Sequence, residues 1–114
     1  MAMALPAANI DDVFRALADP TRRQVLERLS QKPGSVSELA QPFKMALPSF
    51  LEHLKVLEGS GLVRSTKEGR VRTYQIVPRR LRQAEDWLGK QRAMWERRLD
   101  QLDAFLMDLK EKQK

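Results

Sequence analysis

The fold is decided by residues 35–59, which read SVSELAQPFKMALPSFLEHLKVLEG. The opening matches a capping box, in which the Ser35 hydroxyl binds a free backbone N–H and Glu38 reaches back to the cap. A short helix follows, and Pro42 predicts that its end is irregular. A further helix is predicted over residues 47–58, because one apolar face holds Leu47, Phe50, Leu54 and Leu57. The pattern therefore predicts two short helices joined by a tight connection.

After this helix pair, the period of the apolar residues changes from about 3.6 to 2. Residues 62–67 and 71–77 are rich in β-branched and aromatic side chains, and Glu68-Gly69-Arg70 between them supplies a hairpin loop with a glycine. A helix-turn-helix followed by a hairpin is a winged helix-turn-helix. In that fold the second helix enters the major groove of DNA, and the hairpin reaches phosphates or the neighbouring minor groove.

Two helices precede this motif. The first is predicted from Ile10 to Ala18, and the second starts at Asp19-Pro20 and stops at Lys32-Pro33-Gly34. In the second helix Val25, Leu26 and Leu29 are expected to point inward, whereas Arg22, Arg23 and Arg28 are expected to point mostly outward. We therefore expect a mainly α fold with four helices, a small β-hairpin and a fifth helix.

The last helix is predicted over residues 78–112, which is longer than the small domain before it. Its apolar positions are three and four residues apart, except at Gln91, and so form an apolar stripe along one side of the helix. Trp87, Met94 and Phe105 widen this stripe. Such a stripe needs a partner, so we predict a two-fold homodimer rather than a helix that folds back on its own domain. The predicted interface combines this helix with the first one: Ile10, Val13, Phe14, Leu88, Trp95, Leu99, Leu102 and Leu106.

The domain organisation follows from these elements. We predict a flexible arm over residues 1–9 and a single domain over residues 10–112, with the helix-turn-helix at 35–59 and the wing at 62–77. No apolar run approaches the roughly 20 residues that span a bilayer, so no membrane partner is expected. A cytoplasmic bacterial protein, on the nucleoid when bound to DNA, is the expected localisation.

Charge is concentrated in one segment. The net charge is +6, and residues 60–82 hold seven Lys and Arg against the single acid Glu68, while the rest of the chain is balanced. A basic segment of this kind is typical of proteins that bind a phosphate backbone, although a solvated face is the alternative. Arg79, Arg80 and Arg82 begin the last helix, where positive charge opposes the helix dipole, and DNA phosphate is one reason for them.

The predicted DNA-binding residues lie on the recognition helix, just before it and on the wing. They are Lys44, Pro48, Ser49, Leu51, Glu52, His53, Lys55, Arg64, Lys67, Arg70 and Arg72. Ser49, Lys55 and Lys44 suit phosphates. Glu52 either accepts from a cytosine amino group or is a solvated carboxylate. Pro48 and Leu51 suit a thymine methyl group, but Leu51 is equally compatible with the core.

Several aromatic residues, together with Met94, have competing interpretations. His53 is either a hydrogen-bonded structural histidine, which we favour, or a DNA contact. Tyr74 is expected to pack against the helices rather than stack on a base. Trp87, Met94 and Trp95 fit a core or a dimer interface better than a ligand pocket. If an organic inducer exists, a cavity between these side chains is its expected site.

The ordered motifs also resemble a known family. Residues 14–23 (FRALADPTRR) are similar to the opening signature of ArsR-type (ArsR/SmtB) repressors. Residues 37–40 (SELA), 47–58 (LPSFLEHLKVLE) and 61–63 (GLV) are similar to its helix-turn-helix, and residues 69–74 (GRVRTY) to its wing. The resemblance covers about residues 10–110. It implies dimers, operator binding and, usually, release by an inducer.

The sequence departs from that family at its sensor positions. Many ArsR-type sensors have cysteines where Ala40 and Pro42 stand here, and the last-helix metal sites use His and carboxylates, whereas His53 is the only histidine. The resemblance thus points to a cysteine-free branch without the metal sites, so no metal or cofactor is expected. The family often has Gln or Ser near the start of the recognition helix and Ser at the position of Leu51. The apolar residues here leave direct base reading open.

A sequence-specific repressor that binds a pseudo-palindromic double-stranded operator is therefore the predicted function. The alternatives are a non-specific DNA binder and a winged-helix module whose arginines meet an acidic protein. An enzyme is not expected, because the sequence has no Gly-rich phosphate loop, no Cys/His pair and no evident paired carboxylates. The operator, the regulated genes and any inducer are not encoded in these patterns.

Overall fold

The computed structural model describes residues 9–113, so the arm predicted over residues 1–9 lies outside the described residues, apart from Asn9. Five helices and three strands follow one another in this part of the chain. They are α1 (Ile10–Leu17), α2 (Pro20–Leu29), β1 (Gly34–Ser35), α3 (Val36–Ala40), α4 (Leu47–Gly59), β2 (Val63–Glu68), β3 (Val71–Ile76) and α5 (Pro78–Lys112). The predicted winged helix-turn-helix is confirmed, with α3 and α4 as the helix pair and β2 and β3 as the wing.

Local caps explain where the first three helices begin. The Asn9 side chain accepts from the backbone N–H of Asp12 at 3.0 Å, and the Asp19 carboxylate accepts from that of Arg22 at 3.0 Å. The predicted capping box is present, because Ser35 Oγ accepts from the N–H of Glu38 at 3.2 Å and Glu38 Oε1 accepts from the N–H of Ser35 at 3.1 Å. Each cap pairs N–H groups that a helix start leaves without a partner.

The sheet contains a strand that the sequence did not predict. Its order is β1-β3-β2, and β1 pairs antiparallel with β3, Gly34 opposite Tyr74 and Ser35 opposite Thr73. Two residues are too few to show a period, and their partner strand lies about forty positions further along the chain. The wing has a tighter turn than the predicted three-residue loop, because Glu68 pairs with Val71 and only Gly69, at φ +62°, and Arg70 remain.

The chain forms two compact units, which meet in sequence between Ala84 and Glu85. We call residues 9–84 the body and residues 85–112 the distal helix. The core of the body combines α1, α2, α3, α4, the sheet and the first turns of α5: Val13, Ala16, Val25, Leu26, Leu29, Leu39, Phe50, Leu54, Leu57, Leu62, Val63, Tyr74 and Ala84. The predictions that Phe50, Leu54 and Leu57 are core and that Tyr74 packs inside are confirmed.

Leu47 was expected in the same core, and this prediction is wrong. Its side chain is 52% exposed. Leu47 is the first residue of α4, one turn ahead of Phe50. A residue in the first turn of a helix can fit the apolar spacing and still lie outside the core.

The distal helix contributes no residue to this core. All of its residues are exposed except Gly89 and Gln91, which are half-buried. Its large apolar side chains are therefore in solvent in the single chain. Within residues 9–113, no helix is both long enough and apolar enough to cross a membrane.

Candidate nucleic-acid interface

Helix α4 presents one face to the core and the other to solvent. Phe50, Leu54 and Leu57 anchor the inner face. The outer face exposes Pro48, Ser49, Leu51, Glu52 and Lys55, and Lys44 is exposed just before the helix. Leu51 is 41% exposed, so this side chain belongs to the outer face and not to the core. The outer face is thus polar at Ser49, Glu52 and Lys55 and apolar at Pro48 and Leu51.

The wing holds its basic side chains in two ways. Lys67 and Arg70 lie beside and at the turn and are exposed, and their side chains have no hydrogen bond or ion pair to any residue from 9 to 113. Arg64 lies opposite Gln75 in the ladder, and its guanidinium donates to the Gln75 amide oxygen when that oxygen faces it. Arg70 and Lys67 are therefore available to an external anion, whereas Arg64 is held along the strand.

Arg72 connects the wing to the end of the recognition helix. Its Nη1 donates to Ser65 Oγ at 2.8 Å, and the same hydroxyl donates to Glu58 Oε2 at 2.8 Å. A strand residue, a hydroxyl and a helix carboxylate thus form one chain of hydrogen bonds. This chain fixes the hairpin against the C-terminal turn of α4.

A groove of about 580 Å³ lies between α4 and the hairpin. Its lining brings together three predicted DNA-binding residues and their neighbours: Leu51, Lys55, Glu58, Gly59, Arg72 and Tyr74. Burial raises the pKa of the Tyr74 phenol, and the Glu58 carboxylate adds to the effect, so the phenol stays neutral over the ordinary pH range. The basic side chains on this groove are therefore not offset by a tyrosinate.

His53 differs from its neighbours on α4. It is half-buried, and its Nδ1 lies 3.1 Å from Nη1 of Arg22 on α2 and 3.7 Å from Oδ2 of Asp19. The favoured interpretation, a histidine hydrogen-bonded inside the protein, agrees with this geometry. Arg22 was expected to point mostly outward, and that expectation is wrong, because its guanidinium bonds to Ala16, Arg15 and His53. The spacing of Val25, Leu26 and Leu29 after Arg22 places Arg22 on the inner face of α2, but no sequence period identifies its partners.

The predicted dimer residues divide into two groups. Leu88, Trp95, Leu99, Leu102 and Leu106 are exposed on the distal helix, and Ile10 and Phe14 are half-buried on α1. Val13 is 0% exposed because it packs in the core of its own chain, so it has no surface to offer a partner. The described residues contain no group of three or more His, Cys, Asp or Glu side chains that could hold a metal ion.

Known proteins resemble the chain in both sequence and structure. A family described as a helix-turn-helix domain matches residues 17–66. The HTH-type transcriptional regulator Rv2034 of Mycobacterium tuberculosis is 43% identical over 68 residues, which are 60% of this chain and 64% of that protein. The transcriptional repressor SdpR of Bacillus subtilis is 27% identical over 79 residues, which are 69% of this chain and 88% of that protein. The match thus spans slightly less than two thirds of Rv2034.

A solved structure agrees over the winged fold. The crystal structure of an ArsR family transcriptional regulator, RHA00566, superposes with a TM-score of 0.74 at 54% identity, covering 76% of this chain and 96% of that one. Identity and coverage at this level exceed what a shared fold alone produces. The chain therefore belongs to the ArsR family of winged helix-turn-helix, DNA-binding transcriptional regulators.

Proposed function

We propose that the chain is a homodimeric repressor, which occupies a pseudo-palindromic double-stranded operator and thereby blocks a promoter. The observation that carries the proposal is the groove between α4 and the hairpin, where an exposed helix face and basic wing residues share one surface. Helix α4 fits the major groove, and Arg70 and Lys67 at the tip reach phosphates or the adjacent minor groove. Lys44, Ser49, Lys55 and the wing cations position the protein, and Glu52 reads a base edge.

The exposed stripe of the distal helix supports a dimer. Trp95 is 70% exposed, and Leu99 and Leu102 are 57% and 50% exposed. A second copy would bury the same stripe by two-fold symmetry, and Ile10 and Phe14 of α1 stay among the proposed interface residues. A two-fold dimer places its two recognition helices about 34 Å apart, or a multiple of it, so the operator carries two inverted half-sites at that spacing.

The signal that releases such a repressor is proposed to be something other than a thiolate-bound metal. The 114 residues include no cysteine, and Ala40 and Pro42 have no side chain that ligates a metal. An organic inducer would sit among the aromatic and sulfur side chains of the distal helix, Met94 and Trp95. Because the proposed partner is DNA, we place the protein in the bacterial cytoplasm.

A second candidate function is non-specific DNA binding. The observation that favours it is the apolar part of the outer face of α4, since Pro48 and Leu51 offer no hydrogen bond to a base edge. A protein–protein module, with the wing arginines on an acidic partner, is the third.

A salt titration of DNA binding distinguishes the three candidate functions. The purified protein is mixed with the duplex upstream of its own coding sequence and, separately, with a scrambled duplex of equal length and composition. A repressor prefers the upstream duplex, and its affinity falls steeply as salt rises, because counterions are released from the contacted phosphates. Equal affinity for both duplexes indicates a non-specific binder. No binding at low salt contradicts both and favours a protein partner.

A further inference from the structure

One guanidinium joins three helices of the body. Arg22 lies in the first turn of α2, and its Nε donates to the Ala16 carbonyl at 2.8 Å and its Nη2 to the Arg15 carbonyl at 3.0 Å. These two carbonyls belong to the last turn of α1, where a helix leaves C=O groups without their usual partners four residues on, and the Arg15 carbonyl also accepts from the backbone N–H of Ala18 at 3.2 Å. The remaining nitrogen, Nη1, lies 3.1 Å from Nδ1 of His53 on α4. Arg22 thus ties the end of α1 to the recognition helix.

The hydrogen bond from Arg22 to His53 requires one protonation state of the ring. A guanidinium can only donate, so this bond forms only when Nδ1 of His53 carries the lone pair, that is, in the neutral ring with its proton on Nε2. The charged groups that face the ring are Arg22 and Asp19, whose Oδ2 is 3.7 Å from the same Nδ1. That carboxylate oxygen already accepts from the backbone N–H of Arg22 at 3.0 Å. A proton on Nδ1 would remove the acceptor and place a second cation against the guanidinium.

We propose that Arg22 and His53 are positioning residues for DNA binding: neutral His53 holds α4 in its DNA-reading orientation against α1 and α2, and protonation of His53 releases it. The inference rests on the proposed function in one respect, namely that the outer face of α4 meets DNA. His53 then acts through Arg22 and not by touching a base.

A direct contact of His53 with DNA and a positioning role predict opposite effects of its protonation on DNA affinity. If the ring of His53 touched phosphate, its protonation would strengthen DNA binding by adding a cation. If the ring holds α4 through Nδ1, protonation weakens binding. His53 is the only histidine among the 114 residues, so a pH effect on DNA binding that His53→Asn abolishes is assigned to this side chain.

The test compares wild type with His53→Leu, which lacks an acceptor, and His53→Asn, whose Oδ1 replaces Nδ1 as an acceptor that does not protonate. We expect His53→Leu to bind the duplex roughly tenfold more weakly, the scale of removing one hydrogen bond to a charged group, and His53→Asn to recover most of that affinity. Arg22→Lys, which cannot span three acceptors, should resemble His53→Leu. Arg28→Lys, on the same helix, is the matched control and should bind like wild type.

The pH profile is the readout that a merely structural histidine would not produce. Affinity of the wild type should fall as the pH is lowered, whereas that of His53→Asn should stay flat once any effect of the α-amino group, which both proteins share, is subtracted. Affinity that rises on acidification in the wild type alone, or equal weakening in His53→Leu and His53→Asn, would overturn the proposal. Circular dichroism and sedimentation of each variant identify any that fails to fold. If a His53 variant does not fold, the DNA affinity of Arg22→Lys and the pH profile of the wild type decide whether the proposal holds.

A measurement without DNA keeps this inference distinct from the proposed function. The ¹⁵N chemical shifts of His53 report its tautomer directly. We expect a protonated Nε2 and a lone pair on Nδ1 at pH 8, and an Nδ1-protonated neutral ring would overturn the proposal even if DNA binding were confirmed. If the wild type binds no duplex, the proposed function fails. The tautomer of His53, together with the thermal stability of His53→Asn compared with that of His53→Leu, still decides whether the Arg22–His53 hydrogen bond holds α4.

Discussion

The body and the distal helix use apolar side chains in opposite ways. In the body, Phe50, Leu54 and Leu57 on α4 are buried against other elements of the same chain. In the distal helix, Trp95, Leu99 and Leu102 follow an equally regular spacing and are exposed. Similar residue types at similar spacing therefore give a core in one region and a bare stripe in the other.

This contrast shows that an apolar period specifies a face but not what covers it. Burying one Leu is worth about 1.5–3 kcal/mol, so a stripe of several such side chains in solvent is a large unused source of free energy. The body can satisfy its own apolar face because its short elements surround α4. The distal helix has no such neighbours within its own unit, so association with a second copy is the most direct way to use the stripe.

The largest effect is expected from charge placed in the stripe. Leu102→Arg removes about 2 kcal/mol of burial from each of two symmetry-related sites, so the dimer dissociation constant should rise on the order of a thousandfold. Sedimentation equilibrium measures it, and DNA affinity should fall in parallel. Ala104→Arg, on the opposite side of the same helix, adds the same charge and should leave the dimer intact. A dimer that tolerates Leu102→Arg would contradict the proposed interface.

A smaller effect is expected in the body, on folding rather than on assembly. Leu54 is fully buried, so Leu54→Ala should lower the free energy of unfolding by about 2–5 kcal/mol through reduced burial and a residual cavity. Leu51→Ala, one turn earlier on the outer face of α4, should cost less than about 1 kcal/mol. Urea denaturation followed by circular dichroism measures both. Equal destabilisation by the two variants would show that Leu51 packs inside, in conflict with its exposure.

Local signals made most of the fold predictable from the sequence. The capping box at Ser35, the Asp19-Pro20 start and the glycine at position 69 each specify backbone geometry within a few residues, so the helices and the hairpin were predicted to within one or two residues. The outer face of α4 followed from the same period that identified its core face. Contact of these residues with DNA stays a prediction.

The features that were missed depend on distant parts of the chain. β1 has only two residues and exists because Gly34 and Ser35 pair with Tyr74 and Thr73. Arg22 was expected outward, although Val25, Leu26 and Leu29 follow it at helical spacing. Its partners are carbonyls six and seven residues before it and a histidine 31 residues after it. Such interactions are set by how helices pack, and no local pattern encodes them.

A third and smaller effect is expected on DNA affinity, from a substitution in the wing. It is smaller than the effects of Leu102→Arg on the dimer and of Leu54→Ala on folding. Arg70→Ala removes one exposed cation per subunit, so affinity for the duplex should fall by about tenfold. The slope of log affinity against log salt should also become shallower, by about one for each phosphate that Arg70 no longer neutralises. Lys32→Ala lowers the net charge equally from an exposed loop outside the turn of the wing, and it controls for general electrostatics. Equal weakening by the two variants would mean that Arg70 does not itself touch the DNA.

The smallest effect concerns acid stability of the body. Burial alone would raise the pKa of Asp19, but the backbone N–H groups of Arg22 and Thr21 and the charge of the Arg22 guanidinium act against burial, and the pKa is lowered below 3.8. A carboxyl with a lowered pKa in the folded state stabilises the fold above its unfolded pKa, and this stabilisation is lost as pH falls through the folded value. Asp19→Asn keeps a side chain that caps α2 and removes only the charge. The variant should therefore unfold more easily than wild type in urea at pH 7, and this difference should shrink as pH falls below about 3.8. A difference that stays constant down to pH 2 would mean that the charge of Asp19 contributes nothing and that the cap alone matters.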